Sequence, residues 1–275
     1  MYEWIRQLGP GQWLLDLGAG GGSFLASEAR CSVAAVDEHP NAFCGAAPSA
    51  SGPYFRVFAK GQRIPFKDAA FDLVLCHNAL EHMTGPEEAL KEIGRVLKPG
   101  GQIFISVPNG YGLCDAIYRF VFAGGGHVNR FERTQVVGLI EKSTGSRLVR
   151  WHKLYSSFVY LSKLIDLLKE SPPGGPQRLA TIGRVFPPRV ILAAQKAIYT
   201  NTRRLDRLFH TDLAVYGWAL YFERPSFPPP AEQAAFVNVC LFCGSGHPAA
   251  NLDRPSWRCS CGGVNPFIAP FGNTI

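Results

Sequence analysis

An apolar run, Trp13 to Leu17, carries a carboxylate at Asp16 and is followed by four glycines in five residues, Gly18-Ala19-Gly20-Gly21-Gly22. Such a run reads as a buried strand, and Ser23 to Arg30 after it has helical composition with Ser23 in the capping position. A strand, a glycine turn and a helix bring backbone close to a nucleotide-like ligand. Glycine permits both the tight turn and the missing side-chain bulk. The turn alone admits any Rossmann-like nucleotide fold, so the residues downstream decide.

Ser32 to Val36 is a second β-rich run, ending in Asp37-Glu38 about 20 residues after the turn, where a carboxylate in a βαβ unit reaches both ribose hydroxyls. Tyr54 to Phe58, Phe71 to Cys76 and Gln102 to Val107 read as further strands. Between the last two, Pro86 to Leu97 places Ala89, Leu90, Ile93, Val96 and Leu97 at helical spacing, and Leu97-Lys98-Pro99-Gly100-Gly101 supplies the stop and turn. Strands alternating with helices predict a mostly parallel sheet covered on both faces.

In this order the pieces resemble the class I S-adenosylmethionine-dependent methyltransferases, in particular the branch that includes the quinone-biosynthesis C- and O-methyltransferases. The carriers are Asp16 to Gly22, Val36-Asp37, Ile64 to Val74, Asn78-Ala79-Leu80-Glu81-His82 and Glu92 to Gly101, all within residues 12–109. The resemblance implies a Rossmann-like, doubly wound α/β fold with a seven-stranded sheet. Its sixth strand is Arg147 to Trp151, and the antiparallel seventh, Leu213 to Phe222, lies between the fifth and sixth. It also implies S-adenosylmethionine as cofactor, with Asp37 on the ribose and Asp16, Gly18, Ala19, Gly20 and Gly22 around the methionine and sugar. Asn78 borders the same site, while Asp68, Phe71 and Asp72 are turn and strand-start residues. The family places an acid against the adenine amino group just before the Ile64-Pro65-Phe66 turn. Lys60 stands there instead, and an ammonium cannot accept that hydrogen bond, so Gln62 or a backbone carbonyl is the expected substitute.

The N-terminal residues are expected to run straight into the first strand, without a cleavable signal or most of the family's helical lid. No apolar stretch reaches the ~18 residues of a spanning helix, and a cytoplasmic location is expected. The lid then comes from a helical insertion at about 155–211, between the sixth and seventh strands. It holds Phe158 to Leu168, a break at Ser171 to Pro176, and a second helix from Pro188 through Phe209. The chain's net charge of +7 concentrates there, with twelve lysines and arginines against three acids from Arg147 to His210. Such a segment suits a solvated lid, an anionic membrane surface on the inner face, a lipid-linked substrate or nucleic acid.

A proline-rich linker, 225–236, separates the domain at 1–224 from a tail at 237–275. The tail carries Cys240 and Cys243, then Cys259 and Cys261, each pair followed by glycine. This resembles a zinc ribbon: four thiolates close a tetrahedral structural site, and so small a fold needs that staple. His247 is an alternative ligand, disulfides are the competing reading in an oxidising compartment, and docking of a protein partner is the role such a ribbon suggests. Cys31, Cys44, Cys76 and Cys114 are scattered, and apolar neighbours mark Cys31 and Cys76 as core positions.

Methyl transfer asks for alignment and exclusion of water, plus a general base when the acceptor is a hydroxyl. His77, His82 and His127 are the candidates, the first two at the end of the fourth strand and the third after the fifth. The sequence thus reads as a methyltransferase acting on a small-molecule or lipid-linked acceptor. An RNA methyltransferase and a catalytically inactive binding module with the same fold are the alternatives.

Overall fold

The computed structural model describes residues 1–39, 42–43, 51–121, 126–156, 187–224, 238–239, 243, 246–247 and 256–266. At its centre β1 (Trp13–Leu17) pairs in parallel with β2 (Ser32–Asp37) on one side and β4 (Phe71–His77) on the other. β3 (Tyr54–Phe58) lies parallel outside β2, and β5 (Leu97–Pro108) lies parallel outside β4. β7 (Val215–Glu223) runs antiparallel between β5 and β6 (Arg147–Tyr155). The seven-stranded order is 3-2-1-4-5-7-6, a Rossmann-like α/β sheet. Chain order reverses between β2 and β4 on either side of β1, and in open α/β sheets the ligand crevice lies at that point, beyond the carboxyl ends of the strands.

Alternation along each strand divides the core into two layers. Leu15, Val74 and Ile103 face one cluster, which α2 (Pro86–Val96) and α4 (Arg133–Thr144) cover with Leu90, Ile93, Val136 and Ile140. Leu14, Leu73 and Phe104 face the other, where α1 (Tyr2–Gln7) packs Tyr2, Trp4 and Ile5. The chain therefore does not run straight into β1: a short amphipathic helix comes first. Arg95 near the end of α2 holds the 64–68 turn, donating to the Ile64 and Phe66 carbonyls and to Asp68. Asp72 at the start of β4 accepts from Trp13 N–H and Lys98 Nζ, tying three strands together.

The helix expected over Ser23 to Arg30 is reduced to one 3-10 turn, Ala26–Glu28. The register places Trp13 opposite Ser32, so the chain leaving the glycine turn must return the full length of β1. Eight helical residues would cover only about 12 Å of the roughly 16 Å that five strand residues span. The segment is accordingly stretched, with Ser23 N–H donating to Asp16 and Leu25 N–H to the Tyr2 hydroxyl.

In the insertion, Phe158 to Leu168 lies outside the described residues, but the second helix, α5, spans Pro188–Phe209 as expected. Its buried face is mixed: Tyr199 joins an apolar cluster with Ile198 packed against it, beside Gln195, Thr202, Arg203 and Asp206. Arg203 sits 4.1 Å over the Tyr155 ring. Asp206 accepts from Thr211 Oγ1 and from the Leu213 and Ala214 N–H groups. Val190, Leu192, Leu205, Leu208 and Phe209 are exposed. No helix among the described residues is long and apolar enough to cross a membrane. Residues 225–236, expected to be a linker, lie outside the described residues. Beyond it the tail forms two small antiparallel hairpins, β8 (Asn238–Val239) with β9 (Gly246–His247), and β10 (Ser256–Arg258) with β11 (Val264–Pro266).

Candidate active site

A cavity of about 520 Å³ opens beyond the carboxyl ends of β1, β2 and β4. Gly18, Ala19, Gly20, Gly22, Asp37, Asn78, His77 and His82, all candidates from the sequence, line it. The glycine turn begins where Gly18 and Ala19 donate to the Val36 carbonyl, which ties it to the end of β2. Gly18 adopts φ +71°, and a Cβ there would lie 2.3 Å from the Ala79 Cβ. No side chain fits between these two segments, so the turn must be glycine at this position.

Asp37 ends β2 with its carboxylate fixed from two sides, by the Gly20 N–H at 2.8 Å and the His39 N–H at 2.8 Å. A carboxylate has about four acceptor positions, so both oxygens can still take a hydroxyl hydrogen. Asp16 and Gln62 do not line the cavity. Asp16 is fully buried behind the turn, where Oδ2 accepts the Ser23 N–H at 3.3 Å and Oδ1 has no partner among the described residues. Burial pushes its carboxyl up to about 6, and the nearby Asp37 charge adds to this. Gln62 has a buried Oε1 without a hydrogen-bond partner among the described residues, and Lys60 is exposed.

At the other wall, Asn78 sits in the left-handed region at φ +48°. Its N–H donates to the Ser106 hydroxyl, which donates in turn to Asn78 Oδ1. The same hydroxyl meets His77 Nδ1 at 2.6 Å, so Ser106 of β5 holds two cavity residues at once. Burial, helped by the positive N-terminus, lowers the His77 pKa to about 4 and keeps the ring neutral at physiological pH.

His127 lies behind this wall, buried, and its ring is 4.9 Å from that of His82. Tyr118 of α3 (Leu113–Val121) stacks on it at 4.6 Å. His127 Nδ1 is 2.8 Å from Asp115, whose carboxylate also pairs with Arg119. Arg119 donates further to the His127 and Asn129 carbonyls. Glu81, between Leu80 and His82, is fully buried with neither carboxylate oxygen partnered among the described residues, and burial pushes it up to about 8. Sequence reasoning assigned no role to Glu81, Ser106, Asp115 or Arg119. The i, i+4 spacing of Asp115 and Arg119 was the one local sign available.

In the tail, the Sγ atoms of Cys243, Cys259 and Cys261 lie within 4.8 Å of one another, with Cys243 and Cys259 at 3.4 Å. That spacing is far beyond a disulfide bond of ~2.05 Å. It is near the ~3.8 Å that sulfurs at ~2.3 Å from a tetrahedral zinc must keep. Cys240, the fourth expected ligand, lies outside the described residues. The tail is anchored on the sheet domain, where Arg6 donates to the Cys243 carbonyl and Cys259 packs among Cys114, Tyr118, Tyr155 and Tyr199.

Residues 15–105 match the family model for a methyltransferase domain. An uncharacterized methyltransferase of Mycobacterium marinum is 37% identical over 99 residues, 35% of this chain and 39% of the relative. The alignment thus spans well under half of each protein. Among solved structures, a Bacillus halodurans protein provisionally assigned as a methyltransferase aligns over 82% of this chain and 97% of its own, with TM-score 0.52 and 19% identity. The phosphoethanolamine N-methyltransferase 2 of Haemonchus contortus, solved with S-adenosylhomocysteine, aligns over 82% of this chain and 51% of its own, with TM-score 0.50 and 18% identity. Residues 15–105 therefore match the methyltransferase domain family in sequence, and the sheet that carries them has a methyltransferase fold.

Proposed function

We propose that this protein transfers a methyl group from S-adenosylmethionine to a small-molecule or lipid-linked acceptor. The observation that carries the reading is the cavity at the ends of β1, β2 and β4, walled by the close-approach turn at Gly18 and the pinned carboxylate of Asp37. These residues fit the cofactor. Asp37 would accept the ribose hydroxyls, and Gly18 to Gly22 would let the methionine portion lie against bare backbone. Asn78 and the neutral His77 would border the sugar and sulfonium. Lys60 lies off the cavity, as does Gln62, so Ala59 and Gly61 offer backbone rather than a side-chain acid to the adenine.

When bound, the sulfonium supplies a methyl carbon that is already electrophilic. The protein's part is then to align the acceptor, on the side marked by His82, and to exclude water. The tail belongs to the same proposal as a structural zinc ribbon, with Cys240, Cys243, Cys259 and Cys261 as ligands. Its role is to brace the sheet domain or to dock a protein partner.

Calorimetry with S-adenosylmethionine and with S-adenosylhomocysteine tests the reading. Both should bind, and Asp37→Ala should weaken each at least about tenfold, since hydrogen bonds to a charged acceptor are worth about 1.5–3 kcal/mol. Binding of neither compound by the intact chain would overturn the assignment in favour of a non-enzymatic module.

A further inference from the structure

Glu81, His82 and His127 bring one carboxylate and two imidazoles together, with their ligand atoms within 4.8 Å of one another. We propose that these three residues bind a divalent transition-metal cation at the edge of the cavity. Both Glu81 oxygens and His127 Nε2 are buried without a partner among the described residues. Buried polar groups in folded proteins are almost always paired, so three unpaired ligand atoms at one point ask for a partner.

The imidazoles are oriented as metal ligands are. His82 Nδ1 meets the Gly126 carbonyl at 2.9 Å, which only accepts, so the proton is on Nδ1 and Nε2 keeps its lone pair. His127 Nδ1 donates to Asp115 in the same way, leaving Nε2 free. Carbonyl and carboxylate partners of this kind fix tautomer and ring direction in metal centres. Gly126 permits the first contact, at φ +75°, since a Cβ there would stand 3.2 Å from His82 Nδ1.

Two segments distant in sequence are clamped together before any ion arrives. The Glu81 carbonyl accepts the Val128 and Asn129 N–H groups, and the Asn129 side chain donates to the Leu80 and Met83 carbonyls. Three protein ligands of this softness suit Zn²⁺, Fe²⁺, Co²⁺ or Mn²⁺ and leave coordination positions open. Because His82 also lines the cavity, an open position there would take an oxygen of the acceptor. That last step rests on the methyl-transfer reading; the cation site itself does not.

The test is a cobalt(II) titration of the chelator-stripped full chain, without methyl donor, read by visible absorption. Tail thiolates give an intense near-ultraviolet charge-transfer band. The proposed site should add about one equivalent with visible bands and no thiolate band. Glu81→Gln and His127→Gln should lose that equivalent or bind it at least tenfold more weakly, while the thiolate signal persists. His82→Ala, at a partly exposed position, keeps the test valid if a buried variant unfolds. Cobalt seen only with the thiolate band, or unchanged in His82→Ala, would overturn the proposal. Donor binding without cobalt binding defeats this inference alone, and cobalt binding without donor binding defeats the methyl-donor reading alone.

Discussion

Asp16 is a fully buried charge at the end of the central strand, and it works against the fold that holds it. Its carboxyl, pushed up to about 6 by burial, lies above the usual unfolded value. Ionisation therefore costs stability. The cost is absent below about pH 4, grows as pH rises toward 6 and is complete above it, about 3 kcal/mol for a shift of roughly two units. Asp16→Asn keeps an acceptor for the Ser23 N–H and removes the charge. It should raise Tm by at least about 3 °C at pH 8 and leave it nearly unchanged at pH 4, by thermal denaturation at both values. A variant less stable than wild type at pH 8 would show that the charge is compensated. At this scale the places of Gly18, Gly20, Asp37 and Asn78 on the cavity were legible, because each belongs to a short local motif. Gln62 was not: its distance from the cavity depends on how the 59–64 turn packs against α2, which no local signal reports.

Among the elements, α5 departs most from ordinary amphipathic logic. A surface helix normally buries its apolar stripe. This one buries Gln195, Thr202, Arg203 and Asp206 beside Tyr199, with Arg203 over the Tyr155 ring and Asp206 tied to the 211–214 turn, and leaves Leu208 and Phe209 outside. Exposed Arg189, Lys196 and Arg204 lie on the same helix. Such a surface suits an anionic membrane, where each basic residue adds about 1 kcal/mol and exposed apolar side chains insert into the interface. The purified protein should sediment with anionic vesicles at low salt, and Leu208→Glu with Phe209→Glu should reduce the bound fraction several-fold. No sedimentation of the wild type would rule out membrane contact by this helix. Helix boundaries at 188–209 and 86–96 were readable because proline starts and apolar spacing are local. The lost helix after the glycine turn was not, because strand register limits the length available to it.

In the whole molecule, tail and sheet domain meet at Cys259, which packs beside Tyr118, and Tyr118 stacks on His127. If zinc closes the tail, ligand loss should be felt as stability, because metal binding is coupled to folding of small metal-held units. Cys243→Ser with Cys259→Ser should remove about one equivalent of thiolate-bound zinc by metal analysis and lower Tm. Unchanged metal content would end the ribbon reading. The strand sequence, the glycine turn, the carboxylate that ends β2 and the cysteine pairs are written in the chain itself, since each depends on residues close in sequence and on backbone geometry. Tertiary structure alone decided that Glu81 and His82 meet His127, with Asp115 and Arg119 behind them. Those segments lie some 45 residues apart, and hydrogen bonds from the Asn129 side chain to the Leu80 and Met83 carbonyls bring them together. Local propensity carries no record of which distant loops will close on one another; packing and hydrogen bonding in the folded state settle it.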